Sequence, residues 1–308
     1  MKIIFMGTPE FAVPALDALV ASHHEVLAVV TAPDKPKGRG QTMDMSDVKK
    51  RALELELPVL QPVTLKDPDF IRSLKTYAPD ILVVVAFRIL PPEVYELPKY
   101  GAVNAHASLL PKYRGAAPIH WAVYHGEKET GVTVFQIDKK VDTGKIILQE
   151  TIDIQDEDTT GKLYDVLKTI SADALLKALD MLENDKVDYL PQDDSLATPA
   201  PKVTPDTGKL DFHLSCEELA RSIRAFSPWP GSYFMLNGQR IKVFKADIEQ
   251  HPGTQPGMVE ILSKKQFAIH CKDGRFLPKE LQSPGKRRMD VKDWLNGVDI
   301  KTIAKVGD

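Results

Sequence analysis

The chain has 308 residues, of which 43% are hydrophobic and 27% charged, and a formal net charge of −3. That length suits two domains better than one core, and the composition is that of an ordinary globular chain. It excludes a disordered chain, a collagen-like repeat and a disulfide scaffold, and no apolar run approaches the roughly 20 residues of a membrane span.

The first third of the chain alternates strand and helix patterns. We predict strands at residues 2–6, 25–31, 58–61, 80–87 and 101–107, and helices at residues 11–20, 46–57 and 67–77. This alternation predicts an α/β fold with a doubly wound parallel sheet, and the most apolar strand, 80–87, belongs at its centre. The first strand ends at Gly7 without the further glycines of a dinucleotide fingerprint, which argues against NAD or FAD.

The pattern changes after Gly131. Residues 132–137 and 145–154 predict two neighbouring strands joined by a turn, and residues 160–184 predict one long amphipathic helix. The next stretch is rich in proline and polar residues, which is typical of a linker. We therefore place the domains at residues 1–189 and 206–308, with a linker at 190–205.

The C-terminal part is predicted to be mostly β. A helix near residues 215–226 precedes five short strands between residues 232 and 282, with a hairpin turn at Asn237-Gly238, and a short helix near 291–295 follows. Short strands at this spacing predict a small β-barrel.

Charge is unevenly distributed between the two parts. Residues 206–308 hold 17 Lys and Arg against 13 Asp and Glu, a balance of +4, whereas the other residues hold 23 against 30, a balance of −7. A basic C-terminal part weakly favours an anionic partner. Cys216 and Cys271 are far apart in the sequence without a zinc-motif spacing, so we expect reduced thiols and no metal.

The densest group of polar residues follows the strand predicted at 101–107. Alternation along a strand puts Asn104 and His106 on one face, at the carboxyl end where open α/β sheets bind ligands. An amide can donate to a developing oxyanion, and an imidazole can donate or exchange a proton. The alternative is a turn-capping asparagine and a hydrogen-bonded core histidine.

Asp142, in the sequence Asp142-Thr143-Gly144, is a second candidate. Its carboxylate could relay a proton, but Asp-Thr-Gly is also an ordinary turn between strands. An aspartic protease would need a second such carboxylate, and the surroundings do not fit one.

Several motifs together resemble one enzyme family. They are the segments N-A-H-A-S-L-L-P and Y-R-G-A-A-P at 104–111 and 113–118, D-T-G at 142–144, I-F-M-G-T-P at 4–9, P-D-K-P and G-R-G at 33–36 and 38–40, S-P-W-P-G at 227–231 and G-K-R-R-M at 285–289. With them the chain resembles the formyltetrahydrofolate-dependent formyltransferases over nearly its whole length.

The resemblance implies a reaction and a site. The reaction would transfer a formyl group from 10-formyltetrahydrofolate to the α-amino group of methionine on initiator methionyl-tRNA, for translation initiation in the cytoplasm. It implies Asn104, His106 and Asp142 as catalytic residues and no metal. The folate would contact Ser108, Leu109, Leu110 and Pro111, together with Arg88, Ile89 and Leu90. Arg88 is a departure, because such chains more often have Gly-Gln before the Ile or Leu.

The resemblance also implies tRNA contacts. They would involve Arg39, in a loop whose following residues 41–47 are more acidic than usual, and the triplet Lys286, Arg287 and Arg288. Further phosphate contacts are plausible at Arg221, Arg224, Arg240, Lys242 and Lys245. We expect a monomer that does not bind membranes, and Trp229 as a packing anchor rather than a base-stacking platform.

Two other functions remain open at this level. The chain could formylate an amino sugar nucleotide or glycinamide ribonucleotide, although the second reaction does not require an additional basic domain. It could also be a non-catalytic RNA-binding protein, which would leave Asn104, His106 and Asp142 unexplained.

Overall fold

The computed structural model describes residues 1–37, 42–252, 255–298 and 306. The chain forms two compact units, each assembled from separate stretches of sequence. The N-terminal unit comprises Met1–Pro118, Glu129–Asp153 and Tyr164–Ala200, and the C-terminal unit comprises Ile119–Lys128, Ile154–Leu163 and Pro201–Asp308. Within the described residues, no helix has the length and apolar character needed to cross a membrane.

Among the described residues, eleven strands belong to the N-terminal unit. They are β1 (Lys2–Gly7), β2 (Glu25–Val30), β3 (Lys35–Lys37), β4 (Thr42–Asp44), β5 (Val59–Leu60), β6 (Ile81–Val85), β7 (Ala102–His106), β8 (Arg114–Gly115), β9 (Glu129–Gln136), β10 (Ile146–Asp153) and β11 (Pro199–Ala200). Seven of them form one sheet in the order β10-β9-β7-β6-β1-β2-β5. The apolar strand β6 is therefore central, as its composition predicts.

The main sheet is mixed rather than wholly parallel. Strands β5, β2, β1, β6 and β7 run parallel, whereas β9 is antiparallel to both β7 and β10. The reason is the connection: β9 and β10 are joined by the short loop that holds Asp142, and a loop of that kind can only join antiparallel strands. The predicted pairing of these two strands is confirmed.

The helices of the chain are α1 (Val13–Ala21), α2 (Asp47–Glu54), α3 (Pro68–Tyr77), α4 (Pro92–Tyr95), α5 (Pro118–His125), α6 (Thr160–Glu183), α7 (Cys216–Ala225) and α8 (Val291–Leu295). Side-chain caps explain where several begin. The Ser46 hydroxyl accepts a hydrogen bond from the Lys49 amide (3.0 Å), as the sequence predicts for the start of α2. Asp67 caps α3 in the same way, with Pro68 in the first turn.

Two segments expected to be irregular contain short strands. In the segment between β2 and α2, where the sequence predicts only a polar loop rich in proline and glycine, β3 and β4 pair with each other. Residues 190–200, part of the expected linker, lie within the N-terminal unit. Leu190 forms a bridge with Ile146, and β11 pairs with β8. The sequence did not predict these strands because each is only two or three residues long and contains proline or polar residues.

The C-terminal unit is built on a six-stranded antiparallel sheet. Its strands are β12 (Ser232–Leu236), β13 (Gln239–Gln250), β14 (Val259–Ser263), β15 (Gln266–His270), β16 (Gly274–Gln282) and β17 (Met289–Asp290). The order is β12-β13-β16-β15-β14, with β17 on β16. The predicted hairpin turn is confirmed, since Asn237 and Gly238 have φ angles of +49° and +72° between β12 and β13.

The core of this unit contains both cysteines of the chain as free thiols. Helix α7 starts with a capping box in which Ser215 and Glu218 exchange side-chain and backbone hydrogen bonds. Cys216, which follows Ser215, is fully buried, and its Sγ lies 2.7 Å from the Sγ of Cys271. The two thiols are thus neighbours despite their distance in the sequence, because the sheet returns β15 to the start of α7. Burial raises the pKa of Cys216.

Candidate active site

The candidate site lies at the carboxyl ends of the central strands. From β1 the chain adds β2 and β5 on one side of the sheet, and it adds β6 and β7 on the other. This reversal between β1 and β6 creates the crevice where open α/β sheets bind ligands. Asn104 and His106, at the end of β7, share one face of the strand.

His106 is held by a hydrogen bond at one ring nitrogen. Its Nε2 lies 2.9 Å from the carbonyl oxygen of Tyr113, which can only accept, so Nε2 carries the proton of the neutral ring. Its Nδ1 faces the Asp142 carboxylate, 3.8 Å from Oδ2. Both side chains are nearly buried, with 8% and 11% of their surfaces exposed. The structure therefore brings together two of the three predicted catalytic residues as a pair.

Asp142 occupies a constrained turn. Its φ of +55° is left-handed, and its Oδ2 accepts a hydrogen bond from the amide of Gly115 at 2.9 Å. Gly144 follows so closely against β9 that a Cβ there would lie 1.6 Å from the carbonyl oxygen of Gln136. The turn therefore requires glycine at this position, and its conformation aims the Asp142 carboxylate towards His106.

The side chain of Gln192 also stabilises this turn by hydrogen bonds, a role that the sequence did not predict. Its Nε2 donates to the carbonyl oxygens of Asp142 (3.0 Å) and Gly144 (2.8 Å). Its Oε1 accepts from Arg114, at 3.1 Å from Nε and 2.8 Å from Nη2. Gln192 lies in the segment expected to be a linker, where a polar residue carries no local signal of such a role.

Asn104 contributes an unsatisfied polar group. The residue is half-buried, and its Oδ1 is a buried atom without a hydrogen-bond partner in the part of the chain that the structure describes. Buried polar atoms are almost always paired, so this orphaned amide oxygen, on the same face of β7 as His106, is the kind of acceptor that a donor group of a bound ligand would satisfy.

The segment Ser108–Pro111 is held by hydrogen bonds to Lys112 and Thr133. The Ser108 hydroxyl donates to the Lys112 carbonyl oxygen (2.8 Å), and Thr133 contacts both the Ser108 carbonyl and the Leu110 amide. Ser108 and Leu110 are buried, whereas Leu109 and Pro111 are partly exposed. Of the four residues in this segment that were expected to contact folate, only Leu109 and Pro111 therefore present side-chain surface.

The other three residues expected to contact folate, Arg88, Ile89 and Leu90, lie in the loop after β6 and differ in their surroundings. Arg88 donates to the carbonyl oxygens of Pro62 (2.9 Å) and Val63 (3.0 Å), and burial lowers its pKa. Leu90 belongs to the core, whereas the side chain of Ile89 is open, with 76% exposure. Arg88 thus anchors the loop, and Ile89 offers the apolar contact surface.

The candidate tRNA-binding residues differ in how they are held. Arg39 lies outside the described residues. Lys286, Arg287 and Arg288 are exposed in the loop between β16 and β17, where Arg288 pairs with Glu280 and lies over the ring of Phe244 at 4.5 Å. In the described residues, neither Lys286 nor Arg287 has an acidic partner. Two cations of the triplet are therefore free to bind an anion.

Other basic residues of the C-terminal unit are partly engaged. Arg240 pairs with Asp206 at 2.8 Å and stacks on Tyr233, and Lys242 donates to the Pro230 carbonyl at 3.0 Å. Trp229 corrects a prediction, since 52% of its surface is exposed and it is no packing anchor.

Comparison with known proteins gives a full-length match. Residues 1–179 match the family described as formyl transferase, and residues 202–299 match the formyl transferase C-terminal domain. A methionyl-tRNA formyltransferase of Alkaliphilus oremlandii is 44% identical over 303 residues, which cover 98% of each chain.

Solved structures share the fold at lower identity. The N-formyltransferase from Helicobacter canadensis, in complex with folinic acid and dTDP-3-aminofucose, has a TM-score of 0.66 and 21% identity, covering 92% of this chain and 99% of that one. The methionyl-tRNA formyltransferase from Clostridium thermocellum has a TM-score of 0.55 and 16% identity, covering 81% and 94%. At such identities the likeness concerns the fold alone.

Proposed function

The chain belongs to the formyl transferase family, and on that premise we propose that it formylates the α-amino group of methionine on initiator methionyl-tRNA, with 10-formyltetrahydrofolate as the donor. The full-length identity to a methionyl-tRNA formyltransferase supports this acceptor. The observation that carries the chemistry is the pairing of His106 with Asp142, with Asn104 on the same face of β7 as His106.

The residues near β6 and β7 fit a bound folate. The exposed side chain of Ile89 offers an apolar surface, and the backbone of Arg88 and Leu90 is held in place by the bonds of Arg88 to residues 62 and 63. Leu109 and Pro111 add the remaining surface from the end of β7. The donor supplies one activated formyl group when bound.

The reaction forms one bond and breaks another. The methionine nitrogen bonds to the formyl carbon, and the bond from that carbon to the folate nitrogen breaks. Negative charge builds on the formyl oxygen, and a hydrogen bond from the Asn104 amide would stabilise it. The amine loses one proton, and the departing nitrogen gains one, so the enzyme must accept a proton and return one.

His106 and Asp142 are suited to this proton transfer. In the neutral ring Nδ1 carries a lone pair, because Nε2–H is committed to Tyr113. Protonated at Nδ1, the ring would be stabilised by the Asp142 carboxylate and could donate to the formyl oxygen. Asp142, directly or through water, would relay the proton between the incoming amine and the leaving nitrogen.

The acceptor would be held by basic side chains. We assign the chemistry to the N-terminal part and most tRNA contacts to the C-terminal part, where Lys286 and Arg287 are exposed cations without an acidic partner among the described residues. Arg39 would contact the acceptor end of the tRNA. Replacing Arg39 with alanine should then slow formylation of tRNA and leave folate binding intact.

A competition between acceptors tests the function. The purified full chain is given 10-formyltetrahydrofolate and charged initiator tRNA, a TDP-linked amino sugar or glycinamide ribonucleotide, with the Asp142→Asn variant as the blank. Formylation of the tRNA alone supports the proposal. Formylation of the sugar or ribonucleotide instead would assign a different acceptor, and tRNA binding without any transfer would make the chain a binding protein.

A further inference from the structure

The segment at residues 190–200 contacts the candidate site at a second point besides the Asp142 turn. Thr198 lies just before β11 and makes two hydrogen bonds to the backbone around Tyr113. Tyr113 is the residue whose carbonyl oxygen accepts a hydrogen bond from the His106 ring. This one segment therefore contacts the surroundings of both members of the proton-transfer pair, and all of these residues belong to the N-terminal unit.

Thr198 holds the two peptide groups on either side of Tyr113. Its hydroxyl oxygen accepts from the amide of Tyr113 at 2.9 Å, and its carbonyl oxygen accepts from the amide of Arg114 at 2.9 Å. The Arg114 amide and the Tyr113 carbonyl belong to the same peptide group, which is planar and trans, so they point in opposite directions. Thr198 binds one end of this group, and Nε2 of His106 binds the other end at 2.9 Å. The orientation of the group therefore sets the position of the acceptor that the His106 ring meets.

The conformation of Tyr113 indicates that this support is needed. Its φ of +61° lies in the left-handed region, which a bulky side chain seldom occupies, and the residue is buried. Such a conformation persists only where the surrounding contacts hold it. Because the Tyr113 carbonyl meets His106 in this conformation, contacts that maintain it also keep the acceptor in place.

The position of that acceptor selects the tautomer of His106. A neutral imidazole carries one proton, and Nδ1 of this ring lies 3.8 Å from Oδ2 of Asp142. With its proton on Nδ1, the ring could donate to the Asp142 carboxylate in a charge-assisted bond, which competes with the bond to Tyr113. A fixed Tyr113 carbonyl favours the Nε2–H tautomer, because the other tautomer would deprive this buried oxygen of its donor. Only the Nε2–H tautomer leaves Nδ1 with the lone pair that proton transfer requires.

We propose that Thr198 is a positioning residue for formyl transfer, which holds the Tyr113 carbonyl and through it fixes the ring of His106 as the Nε2–H tautomer. The consequence for catalysis rests on the proposed function, whereas the tautomer can be observed without any substrate. Thr198 is exposed, so its side chain is not part of the core and substitutions there should fold.

Three substitutions of Thr198 in the full chain test this role. Thr198→Val keeps the size and the β-branched shape and removes the hydroxyl, Thr198→Ala removes the hydroxyl without adding a methyl group in its place, and Thr198→Ser keeps the hydroxyl. Thr151→Val makes the same change at an exposed position of β10 and is the matched control.

Nitrogen NMR of histidine-labelled protein reads the tautomer directly. In alkaline buffer, where imidazole is neutral, the chemical shifts distinguish the protonated ring nitrogen from the unprotonated one. The signals of His106 are those missing from the His106→Ala variant. We expect the wild type, Thr198→Ser and Thr151→Val to carry the proton on Nε2, and Thr198→Val and Thr198→Ala to show an increased population with the proton on Nδ1.

Kinetics then connect the tautomer to the reaction. In the formylation assay, kcat of Thr198→Val should fall about three- to tenfold, the effect of one ordinary hydrogen bond, with KM for both substrates unchanged. Thr198→Ser should restore kcat, and Thr151→Val should match the wild type. An unchanged tautomer in both Thr198→Val and Thr198→Ala would overturn the proposal whatever the rate, and so would a changed tautomer with normal kcat. If the wild type formylates none of the acceptors, the proposed function fails, and the tautomer in Thr198→Val still decides whether Thr198 fixes the ring.

Discussion

Two loops of the molecule carry charged residues between antiparallel strands, and they are held in opposite ways. The loop between β9 and β10 fixes Asp142 with an amide hydrogen bond, the Gln192 side chain and a glycine that tolerates no Cβ. The loop between β16 and β17 leaves Lys286 and Arg287 exposed. A proton relay needs a defined position, whereas attraction of phosphate acts over several ångströms and tolerates movement.

The largest effect should follow from changes at the constrained site. Asn104→Ala, His106→Ala and Asp142→Asn should each lower the rate of single-turnover formyl transfer by about 10²–10³-fold, the usual result of losing one group that stabilises the transition state. The double variant Asn104→Ala/His106→Ala should lose less than the product of the single losses, because the groups act as one unit. Circular dichroism and tRNA affinity, which should not change, serve as controls. Normal turnover of the Asp142→Asn variant between pH 6 and 9 would show that Asp142 only forms the turn and does not transfer protons.

A smaller effect should follow from reversing the exposed triplet. Changing Lys286, Arg287 and Arg288 together to Glu should weaken tRNA binding by about 10- to 100-fold at moderate salt and leave folate binding unchanged. The slope of log affinity against log salt should fall by roughly 0.7–0.9 for each lost phosphate contact.

Single variants measure how much each of the three residues contributes to the salt dependence of tRNA binding. Lys286→Ala and Arg287→Ala should each reduce the salt slope more than Arg288→Ala does, because the charge of Arg288 already faces Glu280. Equal salt slopes for all three variants would show that the ion pair between Arg288 and Glu280 breaks when tRNA binds. An unchanged affinity in the triple variant would exclude this loop as a tRNA contact.

The clamp on the Asp142 loop predicts a more modest change. Gln192→Ala removes two hydrogen bonds to the loop and the acceptor for Arg114, which should lower kcat about tenfold, equivalent to one or two ordinary hydrogen bonds. KM for both substrates should change little, because Gln192 is a positioning residue. The exposed Gln155→Ala variant is the control. A loss confined to KM would mean that Gln192 contacts a substrate instead.

The smallest effect concerns the thiols in the core of the C-terminal unit. Cys216 and Cys271 are fully buried, and burial raises the pKa of Cys216, so thiolate is scarce in the native protein. We expect neither cysteine to react with a thiol reagent at pH 8 within minutes, with activity unaffected. Both should react once the protein is unfolded. Rapid labelling of the native protein would show that this core opens more readily than its burial implies.

Local chemistry explains what the sequence reveals. Alternation in β7 places Asn104 with His106, the apolar run of β6 identifies the central strand, and Ser46 and Asn237-Gly238 mark a cap and a turn because each acts on its immediate neighbours. These features fix the class of the fold and the edge of the sheet where the site lies.

The features that sequence reasoning missed depend on distant partners. Gln192 acts through residues 48 and 50 positions away, and Cys216 meets Cys271 after 55 residues. No periodicity reports such contacts, because their geometry comes from the packing of whole elements.

The C-terminal unit also has a consequence for how such a protein can be rearranged in evolution. Residues 119–128 and 154–163, far upstream, complete it: Trp121 donates to the Pro201 carbonyl at 2.8 Å, and the Gly161 amide donates to the Ser227 carbonyl at 3.0 Å. A gene segment starting after residue 200 would encode the sheet without these partners. Recombination that moved only the segment after residue 200 would therefore lose these contacts, at a cost in the stability of the unit.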